Sequence, residues 1–165
     1  MKTLYLLRHA KSSWDDPAIA DFDRPLNSRG KNDAPAIGRE ILKRKWVPDI
    51  ILSSSAKRAA STAKRIADEI EYDRKDVEHI DSIYESHYSS YVTEINRIKN
   101  KYNSALIVGH NPGISRLTYY LTGESIEFPT CALAKIDFDT DSWEEISFDT
   151  GFLREFITPK KDLVY

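Results

Sequence analysis

Apolar positions in this chain cluster into short runs, and most of those runs end on a polar group with chemical potential. Leu4 to Leu7 is unbroken and stops at Arg8-His9. Such a run predicts a short buried strand. Residues 10 to 27 carry Ser, Asp and Pro with no period and predict a long loop, a kind of segment that often serves function in a compact domain. Ser28 is placed to cap a helix over about residues 29–45, with Ala36, Ile37, Ile41 and Leu42 on one face. Pro48 stops it, and Asp49 to Leu52 follows as a second buried strand. Ser53-Ser54-Ser55 turns that strand into a helix over about residues 56–71 and caps it, with Ala59, Ala63, Ile66, Ala67 and Ile70 facing inward.

Val77 to Ile80 predicts a short strand, followed by a loop and a helix over about residues 89–102. Ser104 to Gly109 is the clearest buried strand and ends at His110. Pro112 suits the first turn of a helix running to about residue 121. Leu133 to Phe138 and Trp143 to Phe148 predict two late strands, joined as a hairpin by Asp139-Thr140-Asp141-Ser142. Strands alternating with helices predict a three-layer α/β/α sandwich with a mostly parallel central sheet, and the hairpin adds an antiparallel edge. With no repeat, low-complexity tract or linker, residues 1–165 are expected to form a single domain.

Composition changes this picture little. A chain of 165 residues can bury a real core, and 41% apolar with 30% charged residues is ordinary for a globular protein. The net charge of −2 gives no sign of nucleic-acid binding, although a phosphate pocket needs only a few local cations. The single cysteine, Cys131, cannot close an internal disulfide, which favours a reducing compartment. It sits in the apolar stretch Pro129-Thr130-Cys131-Ala132-Leu133 and is read as a core residue. The apolar start is too short for a signal-peptide core or a membrane span, so the expected location is cytoplasmic, with no membrane partner.

Three polar clusters follow three buried strands: Arg8-His9, then Ser53-Ser54-Ser55 with Arg58, then Gly109-His110-Asn111. In open α/β sheets ligands bind beyond the carboxyl ends of the strands, so parallel neighbours would bring two histidines and two arginines together. Arginine forks match phosphate oxygens, and a neutral imidazole can act as a nucleophile. Phosphoryl transfer needs in-line positioning and compensation of charge on the equatorial oxygens. Two arginines and one histidine can supply that charge, leaving the other histidine to attack, with no cofactor required.

From Arg8-His9-Ala10 onward the chain resembles the histidine phosphatase superfamily, also called phosphoglycerate mutase-like, and within it the small SixA-type phosphohistidine phosphatases. The similarity is carried by Leu6-Leu7-Arg8-His9-Ala10-Lys11, Asp23-Arg24-Pro25-Leu26-Asn27-Ser28-Arg29-Gly30, Ile51-Leu52-Ser53-Ser54-Ser55-Ala56-Lys57-Arg58-Ala59, Val108-Gly109-His110-Asn111-Pro112-Gly113 and Phe128-Pro129-Thr130. The resemblance implies His9 as the nucleophile that becomes phosphohistidine. It implies Arg8 and Arg58 as a clamp on the phosphoryl oxygens, and His110 as the group that completes the pocket and stabilises the transition state. Arg24 is implied to reach phosphate or substrate, whereas Arg29 serves the start of the helix. Water would then attack the phosphohistidine. Protonation of His9 should abolish activity on the acid side, and the ordinary imidazole pKa puts that loss between about pH 5 and 8.

A general acid should assist the leaving group. The glutamate of the larger mutase-like members is not obvious here. Glu85, within Asp81-Ser82-Ile83-Tyr84-Glu85-Ser86-His87, is the best-placed candidate, followed by Asp15 or Asp16. A weak acid suits phosphohistidine, whose N–P bond breaks from an already protonated imidazole. The leading substrate is therefore a phosphorylated protein such as a phosphotransfer domain, and the alternative is a small phosphorylated metabolite. A phosphate-binding module without turnover is the rival from another class.

The remaining groups attract structural readings. His79 and His87 fit surface or loop positions, Tyr119 and Tyr120 fit packing, and Trp14 either walls the pocket or packs the loop. A phosphate-binding Gly-rich loop, a Cys-x-x-Cys pair and a His-x-x-x-His spacing are all absent, so neither nucleotide hydrolysis nor a zinc site is suggested.

Overall fold

A computed structural model describes residues 1–84, 87–163 and 165. The sheet is built from β1 (Lys2–Arg8), β2 (Ile50–Ser54), β3 (Glu78–Ile80), β4 (Ser104–Gly109), β5 (Leu133–Phe138) and β6 (Gly151–Ile157). The helices are α1 (Ser28–Lys43), α2 (Lys57–Glu69), α3 (Tyr88–Asn96), α4 (Gly113–Thr122) and the short α5 (Pro159–Asp162). Strand order is β3-β2-β4-β1-β5-β6. The first four strands of that order run parallel, and β5 and β6 form the antiparallel edge. The fold is the expected α/β sandwich, with a mostly parallel sheet and an antiparallel edge.

The unbroken apolar runs arise because both faces of the sheet are covered. Leu4, Leu6, Ala105 and Ile107 point to one face, where Tyr91, Ile95, Ile114 and Leu117 of α3 and α4 pack on them. Tyr5, Leu7, Leu106 and Val108 point to the other, against Ile37 and Ile41 of α1 and Ala59, Ala63 and Ile66 of α2. The predicted inward face of α2 is buried in full, whereas Leu42, expected on the core face of α1, is half exposed.

Local differences from expectation have identifiable causes. The cap of α1 is Asn27, whose side chain accepts from the Gly30 N–H at 2.9 Å, so Ser28 is already inside the helix. The start of α2 falls at Ala56 with no side-chain cap, and Ser54 Oγ accepts from the Ala56 N–H at 3.2 Å to shape the turn. Helix α3 ends at Asn96, short of the predicted 102. The Asn100 and Tyr102 carbonyls beyond it turn inward to the buried Lys2 Nζ, at 2.7 and 2.9 Å.

The predicted strand over Trp143 to Phe148 is absent. Trp143 and Ile146 are buried three residues apart, a single turn of tight helix (Trp143–Glu145), and Asn96 Nδ2 donates to both of their carbonyls. Those carbonyls are thus unavailable to a ladder, and the antiparallel edge forms farther on, at β6. Tyr120 stacks on Tyr88 as a packing residue, but Tyr119 is exposed.

One glycine on β4 is required by close approach. A Cβ on Gly109 would lie 2.3 Å from the Tyr91 hydroxyl, the same hydroxyl that accepts the His110 N–H at 3.1 Å. Gly109→Ala should therefore destabilise the fold by about 1–3 kcal/mol, as overpacking does. The check is a lower urea midpoint with an unchanged slope, and an unshifted midpoint would show that Tyr91 gives way freely.

Candidate active site

Parallel pairing of β1 with β4 sets Arg8 opposite Gly109, so His9 and His110 leave the sheet side by side. Their ring centroids are 5.1 Å apart, and the His9 N–H donates to the Gly109 carbonyl at 3.0 Å. The backbone past β1 is pinned from two sides. The Cys131 N–H reaches the Arg8 and His9 carbonyls, and the Thr62 hydroxyl accepts from the Ala10 N–H while donating to the Arg58 carbonyl. Thr62 thereby joins α2, and with it Arg58, to the His9 turn. Cys131 is a buried core residue as expected, its thiol pushed far above the usual range by burial.

His9 Nδ1 lies 2.7 Å from the Ala10 carbonyl oxygen, which can only accept. Nδ1 must carry the proton, and the neutral ring keeps its lone pair on Nε2. His110 Nε2 lies 2.8 Å from Ser54 Oγ. That hydroxyl already accepts from Ala56, so the arrangement that uses every group has Ser54 donating to Nε2 and the ring proton on Nδ1. His110 Nδ1, Arg8 Nε and Arg58 Nε are buried and without hydrogen-bond partners in the fold. Orphaned buried donors are costly unless a ligand satisfies them, and all three belong to residues that line one cavity.

That cavity, about 230 Å³, is also lined by His9, Lys11, Arg24, Trp14 and Thr130. A second, of about 280 Å³, shares Arg58, His110 and Asn111 with it and is walled by Asp21, Tyr84 and Pro112. A larger hollow of about 990 Å³ between α1 and the C-terminal segment contains none of the histidines. Arg8 Nη1 is fixed on the Phe128 carbonyl at 2.9 Å. Arg24 spans the loop: Nε donates to Asp21 Oδ1 at 3.1 Å, and Nη1 donates to Ser12 Oγ at 2.6 Å. The exposed Trp14 ring lies 3.5 Å from the Arg24 guanidinium and walls the cavity.

The structure thus brings His9, Arg8, Arg58, His110 and Arg24 together. Asp15 and Asp16, the reserve candidates for an acid, line neither cavity. Glu85, the first candidate, lies outside the described residues. Arg29 pairs with Asp33 at 3.4 Å, in keeping with a role at the helix start, and His79 and His87 are exposed. Sequence reasoning missed Asp21, Ser54 and Tyr84. Ser54 sat inside a noted motif, but Asp21 lies in the aperiodic loop and carries no pattern of its own. Among the described residues no three His, Cys, Asp or Glu side chains converge as metal ligands would, and no helix is long and apolar enough to cross a membrane.

The fold is an α/β sandwich with paired histidines in an arginine-lined pocket, an arrangement suited to a phosphoryl anion. The sequence profile of the histidine phosphatase superfamily (branch 1) matches residues 4–94, and the chain belongs to that superfamily. An uncharacterized chloroplastic protein of Arabidopsis thaliana is 34% identical over 152 residues, covering 87% of this chain and 70% of that protein. The structure of a candidate phosphohistidine phosphatase SixA from Agrobacterium tumefaciens is similar at a TM-score of 0.82 and 31% identity, covering 96% of this chain and 98% of that one. A protein histidine phosphatase SixA complexed with tungstate shares the fold at a TM-score of 0.83 and 21% identity, over 96% and 97% of the two chains.

Burial sets the charge states here. Desolvation, aided by Arg58, Arg8 and Arg24, lowers the His9 pKa to about 4 against the favourable bond to Ala10. His110 is lowered to about 3, by desolvation first and then by His9 and Arg58. Both rings are neutral near pH 7, and the acid loss anticipated around an ordinary imidazole pKa moves to lower pH. The sign for stability follows from linkage. Unfolded histidines protonate near pH 6.5 while these stay neutral, so the unfolded state binds more protons between that pH and the folded values. Stability is full above about pH 6.5 and falls as pH drops toward 4. Imidazole NMR titration should find both rings neutral at about pH 5.5, and a His9 midpoint near 6.5 would contradict the geometry.

Proposed function

We propose that the protein is a metal-independent phosphatase that transfers a phosphoryl group to His9 Nε2 and then to water, acting on phosphohistidine carried by a protein. The observation that supports it best is the junction of a neutral imidazole lone pair with three buried N–H donors that have no partner in the fold. A binding module needs the donors but has no use for the nucleophile. In the first step His9 Nε2 attacks phosphorus in line, and the leaving group departs with the bonding pair. Arg8, Arg58 and His110 hold the equatorial oxygens throughout, and such preorganised donors stabilise developing charge without reorganising. In the second step water attacks phosphorus, the Nε2–P bond breaks, and inorganic phosphate leaves.

The arginines supply the positive charge that a metal supplies elsewhere. The adjoining cavity lined by Tyr84, Asn111 and Pro112 offers the leaving group a place beside the phosphoryl pocket. The likeness to the Agrobacterium SixA candidate along almost the full length of both chains supports phosphohistidine as the substrate.

The test is phosphate release, in the presence of a chelator, from a phosphohistidine-bearing phosphotransfer domain and from a generic phosphate monoester. Wild type should prefer the phosphotransfer domain. His9→Ala should lose more than about 10⁴-fold in kcat, and Arg58→Ala about 100- to 1,000-fold. Release from the monoester alone would replace the protein substrate with a small metabolite. Release from neither would leave a binding module.

A further inference from the structure

Arg58 is only 6% exposed, and a guanidinium this deep must find a counter-charge or turn out to water. Its ion-pair partner is Asp21, with Nη2 3.1 Å from Oδ2, and its Nη1 donates to the Asp21 backbone carbonyl at 2.7 Å. The same carboxylate accepts Arg24 Nε through Oδ1, and Oδ2 also accepts the Tyr84 hydroxyl. Three separate parts of the chain therefore meet on one side chain: the loop after β1, the first turn of α2, and the turn that follows β3. Phe22 packs edge-on against the Tyr84 ring at 5.0 Å, and that ring in turn contacts His110 at 5.6 Å.

We propose that Asp21 is a positioning residue that fixes Arg58 in the phosphoryl-binding orientation before any substrate arrives. The proposal rests on the phosphatase reading above. With Nη1 and Nη2 both anchored on Asp21, the Arg58 fork is held in one orientation, and its unpartnered Nε belongs to a residue that lines the same cavity as His9 and His110. Arg24 and Tyr84 brace the carboxylate. Asp21 is not the missing general acid. The Tyr84 hydrogen bond first, then Arg58 and Arg24, hold its carboxyl at about 2, so it is ionised wherever His9 is neutral. Acidification through the histidine range leaves this clasp closed.

Asp21→Asn keeps the size and the backbone contact but removes the charge. The experiment measures kcat and KM on p-nitrophenyl phosphate, and the tungstate Kd by calorimetry, for wild type, Asp21→Asn, Arg58→Ala and the double variant. Asp21→Asn should lower kcat/KM about 10- to 100-fold and weaken tungstate binding, because a misplaced clamp is costly. On the Arg58→Ala background the same change should cost no more than about 3-fold, since its effect runs through Arg58. Equal losses on both backgrounds would show a merely structural role and overturn the proposal. Faster turnover or tighter tungstate in Asp21→Asn would also overturn it, making Asp21 a competitor of the anion. A wild type that binds tungstate without releasing phosphate would sink the phosphatase reading, while the tungstate cycle would still decide the role of Asp21. A wild type that does neither overturns both.

Discussion

The register between β1 and β4 is the constraint on which the site depends. Arg8 faces Gly109 across a parallel ladder, and each strand delivers a histidine one residue later. A slip of one residue would flip every side chain on β1 to the other face, burying Arg8 where Leu7 belongs. The alternation of Leu4 and Leu6 with Tyr5 and Leu7 between two filled cores forbids that slip. Close packing reinforces it, since the Tyr91 ring fills the space beside Gly109 and its hydroxyl takes the His110 N–H. The hydrophobic core and the site are thus one piece of engineering: the residues that stabilise the sheet also set the spacing of the two imidazoles.

Around this pair the fold concentrates positive charge and buries both rings. Burial lowers the proton affinity of both histidines, and Arg58 and Arg8 lower it further. Only Arg58 and Arg24 share a carboxylate, Asp21, among the ion pairs of the described residues, whereas Arg8 is anchored on a backbone carbonyl and has its own proton affinity reduced by burial. A pocket with this balance suits the anionic phosphoryl group of the proposed substrate. Burial first, and the same surplus second, keep His9 neutral, the state that the proposed nucleophile requires.

Much of this was legible in the sequence because short-range pattern and tertiary outcome agree there. Ser104–Gly109 and Leu133–Phe138 are strands with the bounds read from their apolar runs, and the inward face of α2 is as predicted. His9, Arg8, Arg58 and His110 stood out because each ends, follows or closely trails a buried strand. The misreadings involve long-range partners. Lys2 and Asn96 claim the carbonyls that would have continued α3 and formed a strand at Trp143, and neither is adjacent in sequence to what it disrupts. Asp21 was invisible because its importance comes from where the loop folds. The depressed histidine pKa values were likewise hidden, since burial is a property of the assembled pocket.

In the proposed reaction a neutral, buried His9 presents Nε2 to phosphorus while Nδ1 is held by Ala10. The most direct measurement is to quench the protein in alkali during turnover and locate the phosphoryl group by 15N and 31P NMR on histidine-labelled material. A single phosphohistidine is expected, on Nε2 of His9. Phosphate on Nδ1, on another residue, or on no residue during sustained turnover would contradict it.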